Sequence, residues 1–158
     1  MSNEIFLRDY RAADLEAMFR LDEACFAEEF RFNRESMREF AEEQNAIVRV
    51  AEKVGGEMVG FVIVHLERVV TGRLAYVVTL DVAAACRQQG LGRRLMREAE
   101  ACAAAVGGRW MQLHVFTGNA GAIRFYERLG YERIRVQRRF YGEAGLDAFV
   151  YGKELPGL

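Results

Sequence analysis

Several residue types are scarce in this chain. Its 158 residues include one proline, Pro156, two histidines, His65 and His114, and three cysteines, Cys25, Cys86 and Cys102. With one proline near the C-terminal end there is no proline-rich linker, and no repeat or low-complexity stretch divides the sequence. One domain over residues 1–158 is therefore expected, with the tail after Leu155 free to fray. An odd cysteine count without a CxxC, beside two isolated histidines, offers no zinc spacing, so no metal is expected. The thiols read as reduced and mostly buried, as in a reducing compartment. No segment approaches the ~20 apolar residues of a membrane helix. The opening "MSNEIFLRDYR" alternates polar and apolar residues, unlike a signal peptide. An excess of charge of one sign is also missing: the formal net charge is -1, with no general attraction to nucleic acid. The expectation is a cytoplasmic enzyme or binding module with neither a membrane nor a nucleic-acid partner. Composition carries no information on oligomeric state.

What is present is a regular alternation of strand and helix patterns. "EIFLRDY" reads as a strand. "ADLEAMFRLDEACF" gathers Leu15, Met18, Phe19, Cys25 and Phe26 near one helical face, with Asp14 and Glu16 placed for the first turn. "FNRESMREFAEE" reads as a second helix capped by Asn33, with Met37, Phe40 and Ala41 inward. "AIVRVAEKV" and "EMVGFVIVHLE" are strands turned at Gly55-Gly56. "RLAYVVTLDV" is apolar enough to be buried on both faces. A long helix from about Gly90 to Val106 stops at Gly107-Gly108. "RWMQLHVF", "NAGAIRFYERLG", "YERIRVQRRFY" and "DAFVYGKEL" complete the chain as strand, helix, strand, strand. The consecutive middle strands suit an antiparallel meander, and the crossover from "YVVTL" to "MQLHV" requires a parallel pair. An α/β fold with a mixed, mostly antiparallel sheet and helices on both faces follows.

The stretch "RQQGLG", residues 87–92, lies between a strand and a helix. The dinucleotide fingerprint needs a third glycine where Leu95 stands, and a P-loop needs G-K-[ST] where the sequence reads "GRR". What remains open is a plain glycine-assisted helix start, or a turn whose amides and helix N-terminus receive a pyrophosphate, with Gly90 and Gly92 free of Cβ and Arg87 and Arg93 adding charge.

In context, "LDVAAACRQQGLGRRLM" resembles the acetyl-CoA-binding motif of the GNAT superfamily of N-acetyltransferases. In that motif, [QR]-x-x-G-x-[GA] opens a helix after a strand. Arg87, or Gln88 with a one-residue offset, together with Gly90 and Gly92 fills it. About thirty residues on, "NAGAIRFYERLGY" is similar to the family's N-x-x-A-x-x-[FL]-Y-x-x-x-G-[FY] through Asn119, Ala122, Phe125, Tyr126, Gly130 and Tyr131. The resemblance implies acetyl-CoA as cosubstrate and direct transfer of acetyl to a primary amine. It further implies a parallel pair splayed at the centre of the sheet, often by a bulge. The cofactor would be held by Leu80, Asp81 and Val82 along the strand edge, by the turn from Arg87 through Gln88, Gln89, Gly90, Leu91 and Gly92 to Arg93, and by Asn119 and Tyr126.

A subgroup of protein N-terminal acetyltransferases looks most similar. Tyr76 and His114 fall where that subgroup holds a proton-relay water, and Tyr126 where a hydroxyl meets the CoA sulfur. The stretch "DEACFAEEF" and the C-terminal "RRFYGEAGLDAFVYGKEL" resemble the substrate loops of these enzymes, the bacterial ribosomal-protein alanine type included. They imply Phe26 and Tyr141 in the pocket for a peptide or protein N-terminus. Ala27 stands where a proline is usual, Phe140 replaces one aromatic, and His114 replaces the glutamate of the bacterial ribosomal type. The alternatives are a small-molecule amine acetyltransferase and a non-catalytic acyl-CoA-binding module. Cys86, beside the turn, suggests a thiol nucleophile, for which a direct transfer has no use. His65 is expected near a strand end without a role, and Arg133, Arg135 and Arg139 as a solvated strand face.

Overall fold

A computed structural model describes residues 4–156. Its strands are β1 (Ile5–Asp9), β2 (Ala46–Lys53), β3 (Met58–Val69), β4 (Gly72–Val82), β5 (Gly108–Phe116), β6 (Glu132–Tyr141) and β7 (Leu146–Glu154). Its helices are α1 (Leu15–Cys25), α2 (Arg34–Glu42), α3 (Leu91–Ala105) and α4 (Ala120–Arg128). The strands form one sheet in the order β1-β2-β3-β4-β5-β7-β6, antiparallel throughout except for β4 and β5. Element order, the parallel pair and the helix count agree with the sequence reading.

Two cores occupy the two faces. On one, Leu91, Leu95, Met96, Ala99 and Ala103 of α3 pack on Val62, Val64, Val77, Met111 and Leu113, with α4 contributing Phe125 and Tyr126 at the margin. On the other, Met18 of α1 and Met37 and Ala41 of α2 cover Val48, Val50, Phe61 and Ile63. Full burial of each large apolar side chain contributes about 1.5–3 kcal/mol, and Leu95, Met96, Met18 and Met37 are all fully buried. Asn33 caps α2, its Oδ1 accepting from Ser36 N–H at 2.7 Å. Asp14 stands at the N-cap of α1, but its side chain bonds no helix amide. Its carboxylate takes the Arg8 guanidinium at 2.7 Å and the Arg11 amide instead.

The feature that positions the site is a bulge in β4. Ile63 pairs with Thr79 but Val64 with Val77, so Val78 has no partner across the ladder. A bulge reverses which face the following residues meet. Before it, Ala75 and Val77 face α3. After it, Leu80 and Val82 do, while Thr79 and Asp81 turn toward α1. The expectation of a strand buried on both faces holds: Ala75 and Val77 are buried on the α3 face, Thr79 and Asp81 on the α1 face, and the residues between them are half-buried. Near the bulge β4 loses its neighbour. Pairing with β5 ends at Tyr76 opposite Gln112, and the six residues that follow have no strand on that side.

Candidate active site

The C-terminal halves of β4 and β5 therefore part, leaving an opening between them. On the β4 edge, Ala83 N–H donates to Val59 C=O of β3 at 2.8 Å. Strand alternation then turns the backbone groups of Val82 and Leu80 away from β3 and into the opening. The Val82 carbonyl already accepts from Arg87 Nε at 3.1 Å and Cys25 Sγ at 3.3 Å. Asp81, expected on this edge, does not face it. Its side chain is fully buried on the α1 side, where Thr79 Oγ1 donates to it at 2.5 Å.

At the mouth of the opening the chain enters α3. Gly90 is its N-cap, with φ 84°, and no side chain caps the helix. The first amides of α3, at Leu91, Gly92 and Arg93, therefore lack intrahelical acceptors. Gln88 also has positive φ, 62°, which is uncommon for a residue with a Cβ. The two glycines serve different ends. Gly90 has open space around a would-be Cβ and is needed for its left-handed backbone. Gly92 is needed for packing, because a Cβ there would sit 3.2 Å from the Phe125 ring of α4. A hollow of about 500 Å³ runs from the turn along α3, lined by Gly90, Arg93, Arg94 and Arg97 together with Leu7, Glu98 and Ala101. Leu91 buries its side chain in the core, leaving only its backbone at the turn. Gln89 Nε2 bonds back to Ala85 C=O. Asn119 caps α4, its Oδ1 accepting from Ala122 N–H at 3.1 Å. These features fit a pyrophosphate: unfilled amides at a helix N-terminus, flanked by arginines.

Where the pairing of β4 and β5 ends, Tyr76 Oη of β4 and His114 Nδ1 of β5 lie 2.7 Å apart, and His114 Nε2 lies 2.7 Å from Gln137 Oε1 of β6. An amide oxygen can only accept, so Nε2 carries the proton and Nδ1 accepts from the tyrosine hydroxyl. The pair is bonded directly rather than through a shared water. The imidazole also stacks on Phe140, with centroids 3.8 Å apart and planes 3° apart. Burial lowers the pKa of His114 below its ordinary value; Gln137 opposes the shift and Arg135 adds to it. Burial pushes the Tyr76 hydroxyl well above the usual tyrosine range, with Tyr141 adding to the rise. His114 is thus a neutral base at neutral pH, bonded to a neutral phenol. Tyr126 approaches from α4, its ring edge-on to Phe125 and Tyr131, and burial raises its pKa strongly as well.

Beyond His114 the opening is walled by rings. Phe30 meets Tyr141 edge-on at 4.8 Å and Phe116 at a tilt of 40° and 5.3 Å, and Tyr141 lies edge-on to Phe140 at 4.9 Å. Burial pushes the Tyr141 hydroxyl up to about 12. Asp147 ties this wall together, its carbonyl accepting from Thr117 N–H and its Oδ1 from Arg139 N–H. Phe26 ends α1, four residues before the ring that meets Tyr141. Phe30, Phe116 and Gln137 are members of the site that the sequence reading missed.

Other expectations resolve simply. His65 lies well inside β3, and its Nε2 meets the Phe40 carbonyl of α2 at 2.8 Å. Arg133 is not merely solvated: it stacks on Phe149 at 3.6 Å and donates to Tyr151 Oη. Arg139 leaves the alternation at an irregularity in β6, with φ 54°. Cys86 is buried, and Cys25 is half-buried with its thiol pushed up, chiefly by burial.

Comparison with known proteins supports the same identification. The chain is 34% identical over 119 residues to N-alpha-acetyltransferase RimI of Mycobacterium tuberculosis, covering 74% of this chain and 71% of that protein. It is 32% identical over 113 residues to NAA10, the catalytic subunit of the N-terminal acetyltransferase A complex of Arabidopsis thaliana, covering 70% of this chain and 58% of that one. The fold superposes on the ribosomal-protein-S18-alanine N-acetyltransferase of Escherichia coli with TM-score 0.84 at 22% identity, over 98% of this chain and 96% of that one. The profile of the Acetyltransferase (GNAT) family matches residues 14–131. By sequence and fold together, the chain is an acyltransferase that belongs to the GNAT family.

Proposed function

We propose that the protein transfers acetyl from acetyl-CoA to the α-amine of a peptide or protein N-terminus, in one step without an acyl-enzyme. The observation that carries this reading is the hydrogen-bonded chain Tyr76–His114–Gln137, which bridges β4 and β5 where their pairing ends.

Acetyl-CoA supplies an acetyl thioester. Its pyrophosphate is assigned to the amides of Leu91, Gly92 and Arg93, with Arg87 and Arg93 near, and its pantetheine arm to the free edge of β4 at Leu80 and Val82, as an added strand. Tyr76 and His114 remove a proton from the amine. The Tyr76 oxygen accepts it as the tyrosine's own proton passes to His114 Nδ1, and Gln137 Oε1 holds the imidazolium through Nε2–H. The Tyr126 hydroxyl donates a hydrogen bond to the departing sulfur. Its raised pKa favours donation over surrender of the proton, because a thiol titrates at about 8.5.

The same electrostatics select the amine. A base held below its ordinary pKa deprotonates an α-ammonium, of pKa about 8, far more easily than a lysine ammonium at about 10.4. The difference is about 3 kcal/mol. The rings of Phe30, Phe116 and Tyr141 form an apolar receptacle for the first residue of the acceptor. Relatives named for N-alpha-acetylation support this assignment. A panel of free-N-terminus peptides with acetyl-CoA, followed by release of free thiol, tests it. Turnover of polyamines or aminoglycosides with none of peptides would replace it by the small-molecule reading.

A further inference from the structure

Two buried acids, one on α1 and one on the free-edged half of β4, take no part in the catalytic chain described above. Asp22 of α1 and Asp81 of β4 are both fully buried where the end of α1 packs against β4, near enough for each carboxyl to act on the other. Asp22 Oδ2 accepts from Phe32 N–H at 2.9 Å, and Thr79 Oγ1 donates to Asp81 Oδ1. The remaining oxygen of each, Asp22 Oδ1 and Asp81 Oδ2, has no donor among the described residues. Two carboxylates cannot face each other in a buried site with both charges present. A single proton on one carboxyl, donated to the other, satisfies both orphaned oxygens and removes one of the charges.

The positions of the two acids give this bond a role. Through Phe32, Asp22 holds the far end of the loop that carries Phe26 and Phe30. Asp81 lies between Leu80 and Val82, just past the bulge that opens the slot. We propose that Asp22 and Asp81 share one proton, and that this bond fixes the acceptor loop to β4, making both acids positioning residues for the acceptor. The loop half of this inference rests on the function proposed above; the shared proton does not.

The surroundings agree. Burial raises both acids, Asp81 well above the carboxylate range, with Asp22 adding to its rise. The titratable and charged groups that act on the pair are Glu23 and Cys25 from α1, Arg31 from the loop, Arg87 from the α3 turn and Tyr126 from α4. Arg31 and Arg87 favour retention of the one remaining negative charge, and neither forms an ion pair with the acids.

The sign of the pH effect follows from the raised pKa. The folded chain keeps a proton that the unfolded chain releases near pH 4, so stability falls as pH rises from about 4 through the raised value. Asp81→Asn supplies a permanent N–H to Asp22 in place of that proton; Asp81→Ala supplies none. The test uses the full chain, with Tm measured from pH 5 to 9 and hydrogen exchange followed at the Phe32 amide. The expected result is that Asp81→Asn gains on the wild type in Tm progressively as pH rises and leaves Phe32 exchange unchanged. Asp81→Ala is expected to exchange Phe32 about tenfold faster and to raise the acceptor KM about fivefold with the acetyl-CoA KM unchanged. Parallel Tm curves for Asp81→Asn and the wild type would overturn the shared proton. Phe32 exchange equally fast in the Asn and Ala variants would overturn the loop's dependence on it. Neither readout needs turnover, so a failure of the proposed reaction would be seen separately, as intact proton sharing without peptide acetylation.

Discussion

The wall of the slot running from Val82 to Arg93 is specified by backbone conformation: a left-handed Gly90, a left-handed Gln88 and a helix start without a side-chain cap. The facing wall, from Phe30 across to Phe116, Phe140 and Tyr141, is specified by rings that meet edge-on, tilted or stacked. Backbone sites present a fixed set of amides and tolerate little variation in geometry. Ring-lined sites change shape with each side chain. One wall therefore suits a constant partner and the other a variable one, matching a shared cosubstrate and a particular acceptor.

The comparison can be broken most severely where the two walls meet. On the proposed mechanism, His114→Ala lowers kcat by about 10²-fold or more, the usual scale for a general base, with the KM for acetyl-CoA unchanged in steady-state assays. Tyr126→Phe lowers kcat about 10- to 100-fold, the worth of a hydrogen bond to a developing charge, again without loss of cosubstrate binding. On the ring-lined wall, Phe30→Ala raises the acceptor KM about tenfold, through loss of about 1.4 kcal/mol of ring contact, and leaves kcat for saturating peptide near its original value. On the backbone wall, Gly90→Ala places a Cβ in a left-handed conformation at a cost of about 1–2 kcal/mol, read as a lower denaturation midpoint and a weaker calorimetric affinity for acetyl-CoA.

The smallest expected effect is the most specific. His114 must be unprotonated to accept a proton, and burial holds its pKa below the ordinary value. The acid limb of kcat/KM therefore lies below pH 6.5, the ordinary histidine value. The Gln137 bond raises that pKa, so Gln137→Ala moves the limb further toward acid and Gln137→Glu moves it toward neutral. A limb that ignores both substitutions would remove His114 from the proton path.

The same division accounts for what the sequence revealed. Gly90, the start of α3, the Asn33 cap and the crossover between β4 and β5 depend on local patterns a few residues long, and each was legible. The pairing of Tyr76 with His114 was legible only through resemblance to a family, because the two lie on separate strands. Gln137 and Phe30 escaped notice: a glutamine in a polar strand and a phenylalanine in an acidic loop have no local signature. The bulge at Val78 is hidden because apolar residues occur on both sides of it, so the reversal of Asp81 into the α1 side leaves no periodic trace.

The central claim is that the two walls bring an acetyl thioester to an α-amine. Mass spectrometry after incubation with acetyl-CoA and two versions of one lysine-containing peptide tests this most directly. One version has a free N-terminus and the other a blocked one. The account predicts a single acetyl group on the α-amine of the free peptide and none on the blocked peptide. Acetylation of the lysine in the blocked peptide at a comparable rate would contradict it.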